Sequence, residues 1–222
     1  MVTDTKGGND LTDVNTVAEE TGDFQEGACC ANMERTNEEY YYITDANLDA
    51  GFPLKNGDAT KIISVCAWFK LEAIGDAEYH MIWSKYDRGD NKRSLAILCH
   101  RSGSTYTIEA WQGHTNGTAA QAITLFTVNP VGIWMHLGFT YRDDTKAWTA
   151  RLYNDNTGLP DSNGGTATNN INVEDANVGV GCSYNSGSAE YFFDGLLDEV
   201  VVFKDILSEA EIDDIRNQAY GT

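Results

Sequence analysis

The stretch 191–212 reads YFFDGLLDEVVVFKDILSEAEI. Its first part, 191–204, is rich in aromatic and β-branched residues and reads as a strand. Its end reads as a helix start. Ser208 followed by Glu211 forms a capping box, in which the hydroxyl accepts the Glu211 amide and the carboxylate accepts the Ser208 amide. Ile212 and Ile215 are spaced for one buried stripe, and Gly221 closes the run at Tyr220. A strand running into one short C-terminal helix is the pattern expected at the end of a β domain.

Working outward, strand-like runs recur at 39–44, 61–72, 79–85, 94–100, 104–112, 119–127, 133–141, 146–153 and 171–182. Turn clusters separate them, among them DRGDN, RSGS, GHTNG and YNSGS. Many short strands with regular turn signals predict an all-β, two-sheet antiparallel sandwich of jelly-roll type. Within 133–141, alternation puts Met135, Leu137, Phe139 and Tyr141 on one face and Trp134, His136 and Thr140 on the other. Residues 156–170 read as the longest surface loop. Residues 1–29 are polar, acidic and weakly periodic, so they read as an extended N-terminal arm, leaving 30–222 as the domain.

The chain has 222 residues, 34 acidic and 15 basic, for a net charge of −19. That charge excludes a phosphate-backbone partner, because such binding rests on Lys and Arg, so no nucleic acid is expected. No apolar run reaches the ~20 residues of a membrane helix, so membrane insertion is not expected either. The first twenty residues show no basic, apolar and small-residue succession of a signal peptide. Five cysteines cannot all pair within one chain. Cys66, Cys99 and Cys182 sit in strand-like runs and read as buried thiols. For Cys29 or Cys30 a disulfide to a distant strand stays open.

The 191–212 stretch resembles the closing signature of laminin G-like, concanavalin A-like jelly-roll domains. Three upstream segments match in the family's order: Ala67-Trp68-Phe69-Lys70, Ile82-Trp83-Ser84-Lys85-Tyr86, and Trp134 to Tyr141 with Ala150-Arg151-Leu152-Tyr153. The resemblance covers residues 30–218 and implies the two-sheet jelly roll. Family members serve in glycan binding, adhesion, polysaccharide catalysis and virus particles, so function has to be argued from the site.

In related jelly rolls the residue matching Asp198 binds calcium, an ion that takes six to eight oxygens. On a regular strand Asp198 is in phase with Leu196, Val200 and Val202, and a carboxylate on an apolar face needs a partner. The resemblance makes Glu34 and Asn37 co-ligands of a structural calcium, since the N-terminal strand should run beside this one. The competing reading is that Asp198 accepts backbone amides.

Two further groups are candidate ligand-binding residues. The loop Tyr86-Asp87-Arg88-Gly89-Asp90-Asn91 reads either as an adhesion tripeptide or as an ordinary polar turn. The aromatics Trp83, Trp111 and Trp148, with Tyr86 and His114, read either as a sugar-stacking platform or as core. Core suits Trp83 and Trp148; Trp111 and His114 adjoin a polar loop, which leaves Trp111, His114, Tyr86, Asp87 and Asp90 as the binding set. Glycoside hydrolysis needs two facing carboxylates. The adjacent pairs Glu38-Glu39 and Asp198-Glu199 point to opposite faces of a strand, so no catalytic residues are assigned. The sequence thus predicts a non-catalytic module that binds a glycan or another surface ligand, outside the cell or on a virion. The alternative is a structural subunit of a surface assembly, such as a homo-oligomer, joined through residues 1–29; a polysaccharide-active enzyme ranks third.

Overall fold

The computed structural model describes residues 8–217, so Tyr220, Gly221 and the first seven residues of the arm lie outside the described residues. Strands β1 (Thr12–Val14), β2 (Ala18–Glu20), β3 (Cys30–Met33) and β4 (Tyr40–Ile43) lead the chain. Next come β5 (Ile62–Leu71), β6 (Tyr79–Asp87), β7 (Lys92–Ser102), β8 (Thr105–His114) and β9 (Ala119–Thr127). After them run β10 (Met135–Arg142), β11 (Ala147–Asn154) and β12 (Leu159–Thr166). The last strands are β13 (Val178–Val180), β14 (Ser183–Asn185), β15 (Ser188–Glu190) and β16 (Gly195–Phe203), followed by the helix α1 (Glu209–Arg216).

The strands form the expected sandwich. One sheet has the order β1-β4-β13-β6-β7-β8-β9, with the β14–β15 hairpin attached, and the other β12-β11-β10-β5-β16-β3-β2. Pairing between the named strands is antiparallel apart from the parallel bridge between Tyr184 and Asp87, and an isolated parallel bridge joins Leu71 to Val131. Met135, Leu137, Phe139 and Tyr141 of β10 point inward with Ile63, Val65, Ala67, Phe69 and Leu71 of β5, meeting Trp83, Ile97 and Ile108 of the facing sheet. Trp148 belongs to the same core.

The seven-stranded sheet is also closed on its outside. Its outward residues include Trp68, Cys66 and His136, all buried. Ile212 and Ile215 of α1 pack on Cys66, and Gly138 leaves room for them, since a Cβ there would come within 2.4 Å of Ile212. Burying those two isoleucines stabilises the fold by about 1.5–3 kcal/mol each. The capping box holds the helix start, with Ser208 N donating to Glu211 Oε2 at 2.8 Å and Glu211 N to Ser208 Oγ at 3.3 Å. Phe24 and Tyr153 cover Trp68 and Trp134. Asp23 ties that cover down, accepting from Lys70 Nζ and Trp134 Nε1, each at 2.6 Å.

Residues 12–14 and 18–20 of the arm therefore pair within their own chain. β1 pairs with β4 on one sheet, and β2 with β3 on the other. Residues 159–166, expected as loop, form a strand paired along all eight positions with β11. Every residue of β12 is exposed. Backbone pairing to an edge needs no apolar side chains, so composition did not reveal it. Only Val178–Val180 of the 171–182 run is strand. The stretch before it is held by the buried Lys85, whose ammonium donates to Asp45 Oδ1 and to the carbonyls of Glu174 and Ala176 at 2.7, 2.7 and 2.8 Å. All five cysteines are free thiols.

Burial pushes His136 from 6.5 down to about 3, so it is neutral in the folded protein. The unfolded chain takes up that proton first, so the contribution of His136 to stability falls as pH drops from about 6.5 toward 3. At pH 5 this costs about 2 kcal/mol. His136→Phe is expected to flatten the slope of melting temperature against pH between 6.5 and 4. An unchanged slope would show that His136 does not carry it.

Candidate functional site

Among the described residues, α1 packs on the seven-stranded sheet and no α-helix lies over the outer face of the nine-stranded one. Inward residues of β6, β7 and β8, such as Trp83, Ile97 and Ala110, belong to the core. Their alternates form a separate cluster, in which Met81, Tyr86, Ala96 and Leu98 carry the half-buried rings of Tyr79, Trp111 and Tyr191. Trp111 lies 4.9 Å from Tyr79, 6.0 Å from Tyr86 and 6.2 Å from Tyr191 between ring centroids. Tyr79 stacks on His100 at 4.3 Å with planes 19° apart. Arg88 lies over the Tyr191 ring at 5.3 Å.

Glu109 sits beneath this cluster, 7% exposed. Its Oε1 accepts from Thr107 Oγ1 at 2.7 Å and lies 3.1 Å from His100 Nδ1; Oε2 accepts from Trp111 Nε1 at 2.9 Å. Cross-strand register explains the gathering. His100 faces Thr107, Leu98 faces Glu109, and Ala96 faces Trp111, so Thr107, Glu109 and Trp111 share one face of β8.

Of the residues expected to bind ligand, Trp111 and Tyr86 are in this cluster. Tyr86 is buried under it, and burial raises its phenol pKa. His114 is not brought to the rings: alternation puts it on the other side of β8 from Trp111, and its Nδ1 lies 2.7 Å from Thr115 Oγ1. Asp87 is buried and occupied. Its carboxylate accepts the amides of Gly89, Asp90, Ser186 and Gly187 at 3.1, 3.1, 2.8 and 2.8 Å, joining the 87–91 turn to the β14–β15 turn. Asp90 is exposed at the turn. Arg88 forms a two-pronged pair with Glu190 at 2.6 and 2.8 Å. The residues missed from sequence are Tyr79, Tyr191, His100 and Glu109. Alternation in 105–111 could have placed Glu109 beside Trp111, but the register that adds His100 is not legible in one chain.

Asp198 is not gathered with Glu34 and Asn37. Gly195 faces Met33 and Leu197 faces Ala31, so Glu34 lies toward the Asp194 end of β16, four residues or roughly 13 Å from Asp198. Burial, with Glu72, Asp194 and Glu39 nearby, raises the pKa of Glu34, and Asn37 donates to Glu39 Oε1 at 3.1 Å. The phase expected for Asp198 is also corrected. Register shifts between Asp198 and Val201, with Glu199 at φ 43°. The bulge sends Val200 and Val202 to the core while Leu196 stays on the outer cluster. Asp198 therefore faces the arm, where it accepts the Gln25 and Glu26 amides at 2.9 Å each and the Glu199 amide at 3.0 Å. Beside it, Glu26 Oε1 is buried without a partner. Burial, with Glu199 and Asp198 near, pushes Glu26 up to about 7. Among the described residues no group of three His, Cys, Asp or Glu side chains is arranged as a metal site.

Two cavities lie away from the rings, one of them beside Trp68, Tyr153 and Arg216 on the other sheet. The other, of about 430 Å³ between the 50–60 loop and Lys204, has no aromatic wall, and its Lys204 pairs with Asp58 at 2.9 Å. No helix among the described residues is long and apolar enough to cross a membrane.

With this geometry in place, a family model matches residues 39–213, and the chain belongs to the concanavalin A-like lectin/glucanases superfamily. The match agrees with the resemblance seen in the 191–212 stretch. No curated protein matches the sequence. Among solved structures it is similar to the enzymatically active domain of bacteriophage CBA120 tailspike protein 2, at 14% identity and TM-score 0.64, over 95% of this chain and 30% of that one. It is also similar to the full-length tailspike protein 2 from an Escherichia coli O157:H7 bacteriophage, at 14% identity and TM-score 0.58, over 87% and 24%. A third is the Ruminococcus gnavus IT-sialidase CBM40 bound to α2,3-sialyllactose, at 14% identity and TM-score 0.53, over 71% and 83%. The chain spans about a quarter to a third of the tailspike chains it matches. At these identities the likeness is one of fold.

Asp87→Ala would leave four turn amides without their acceptor, at a cost of about 2–3 kcal/mol. The expected result is a lower melting temperature and faster hydrogen exchange at Gly89, Asp90, Ser186 and Gly187. Unchanged exchange at those amides would show that Asp87 does not hold the turns.

Proposed function

We propose that this chain is a non-catalytic recognition module that binds a glycan on the outer face of its nine-stranded sheet. The observation that carries the reading is the half-exposed ring cluster of Tyr79, Trp111 and Tyr191 on a broad sheet face that, among the described residues, no α-helix covers. Flat rings suit the apolar face of a pyranose, and Tyr and Trp give large contact area with few rotors. A binding module solved with sialyllactose shares the fold, which supports the class. Hydrolysis would need two carboxylates free to flank a bond. Of the carboxylates beside the rings, Glu109 and Asp87 are already engaged by protein donors and Glu190 by Arg88. The reading carries with it a location outside the cell or on a virion surface. Assembly through the arm has less support, since Thr12–Val14 and Ala18–Glu20 already pair within the chain. On a broad glycan array the protein is expected to bind, and Trp111→Ala to lose about tenfold or more in affinity with its fold retained. No binding on the array, or equal binding by the variant, refutes the reading.

A structural calcium near Asp198 is a separate proposal. Asp198 already accepts three amides, and among the described residues no three His, Cys, Asp or Glu side chains gather there, so the single observation favouring an ion is the orphaned buried oxygen Glu26 Oε1, an oxygen donor of the kind a hard cation takes. The melting temperature is then expected to rise in calcium relative to chelator, and Glu26→Gln to remove the difference. Identical melting in both conditions excludes the ion.

A further inference from the structure

We propose that Glu109 is the positioning residue of the ring platform, and that the ligand the platform accepts is uncharged. This inference rests on the glycan reading of the same face.

The first half follows from how the rings are held. An indole standing on a sheet face keeps freedom about two side-chain torsions unless something fixes it. Here the Trp111 N–H is fixed by Glu109 Oε2 at 2.9 Å. The other carboxylate oxygen engages Thr107 and His100, and the imidazole of His100 supports Tyr79 by stacking at 4.3 Å. One carboxylate thus sets one ring directly and a second through His100. A carboxylate at 7% exposure would be costly without donors, and this one has three. Rings held before the ligand arrives lose less entropy on binding.

The second half follows from what the charged groups around the rings are already doing. Glu109 is engaged by three side-chain donors and Asp87 by four backbone amides. Arg88 is clamped to Glu190 by two hydrogen bonds. Arg93 donates to the Gly117 carbonyl at 2.6 Å and to Asn91 Oδ1 at 3.4 Å. An anionic ligand would have to draw Arg88 from Glu190 or Arg93 from the Gly117 carbonyl to gain a partner, whereas a neutral ring needs only the aromatic faces. The net charge of −19 adds a further cost for polyanions.

The test is a double-mutant cycle read by affinity for the neutral glycan that binds best on the array, with near-UV circular dichroism as a second readout. Glu109→Gln is expected to weaken binding about tenfold and to change the tryptophan dichroism. In a Trp111→Phe background, which keeps a ring but has no N–H, Glu109→Gln should lose much of that effect, because the direct path through the indole is gone. Equal losses in both backgrounds would show that Glu109 does not act through the indole N–H and would overturn its positioning of Trp111. Neutral glycans should bind best, with affinity unchanged between 50 mM and 500 mM NaCl. Tighter, salt-sensitive binding of sialylated or uronic-acid glycans would overturn the uncharged class. Loss of all binding by Trp111→Ala, together with an unchanged Glu109→Gln, would sink the positioning role while leaving the glycan reading standing. An array with no binder at all would sink both.

Discussion

The central strands of the seven-stranded sheet carry apolar residues on both faces, and this constraint organises the rest of the molecule. Inward, β5 and β10 present Ile63, Phe69, Leu137 and Phe139. Outward, they present Cys66, Trp68 and His136, which are also buried. An antiparallel sandwich sheet commonly faces water on its outer side. This one cannot, so the 23–26 segment and α1 are drawn over it. The helix seals the Cys66 and Gly138 row, and the 23–26 segment seals the Trp68 and Trp134 row. Once the arm and helix are committed there, the other sheet's outer face is left without such a cover, and the ring cluster stands on it.

Buried carboxylates do much of the fastening, and each works by collecting donors. Asp87 collects four turn amides, and Asp198 three amides around the arm and its own bulge. Asp45 accepts the buried Lys85 ammonium and the Asn56 amide. Hydrogen bonds to a charged acceptor are stronger than neutral ones. Removing the acceptor strands every donor at once. A chain with 34 acidic residues therefore need not be read as a cation binder: several of its carboxylates replace strand pairing where the backbone turns.

What the sequence disclosed and what it withheld divide along physical lines. Features set by local chemistry were legible. Ser208 and Glu211 form their capping box. The alternation of 133–141 sorts inner from outer residues, and Trp83 and Trp148 lie in the core. Features set by pairing were not. The bulge at Glu199 breaks the two-residue period, so Val200 and Val202 turned inward while Asp198 did not. Register along β16 separates Glu34 from Asp198. β12 has no apolar face because only its backbone is used. Glu109 sits between Ile108 and Ala110 and reads as any outward strand residue until His100 is seen across the ladder.

The contrast between the two outer faces also bears on how the open one works. On the closed face, Trp134 has its N–H tied to Asp23 while Trp68 has no acceptor for its own. Both indoles are buried there, so the difference concerns packing alone. On the open face, Trp111 is half-exposed yet its N–H is satisfied by a buried carboxylate. An exposed indole could donate to water at little cost. A dedicated buried acceptor adds little stability under those conditions, but it does fix the plane of the ring. The cost of burying Glu109 is thus better matched by orientation than by folding, and orientation matters on a surface where the rings themselves make the contact.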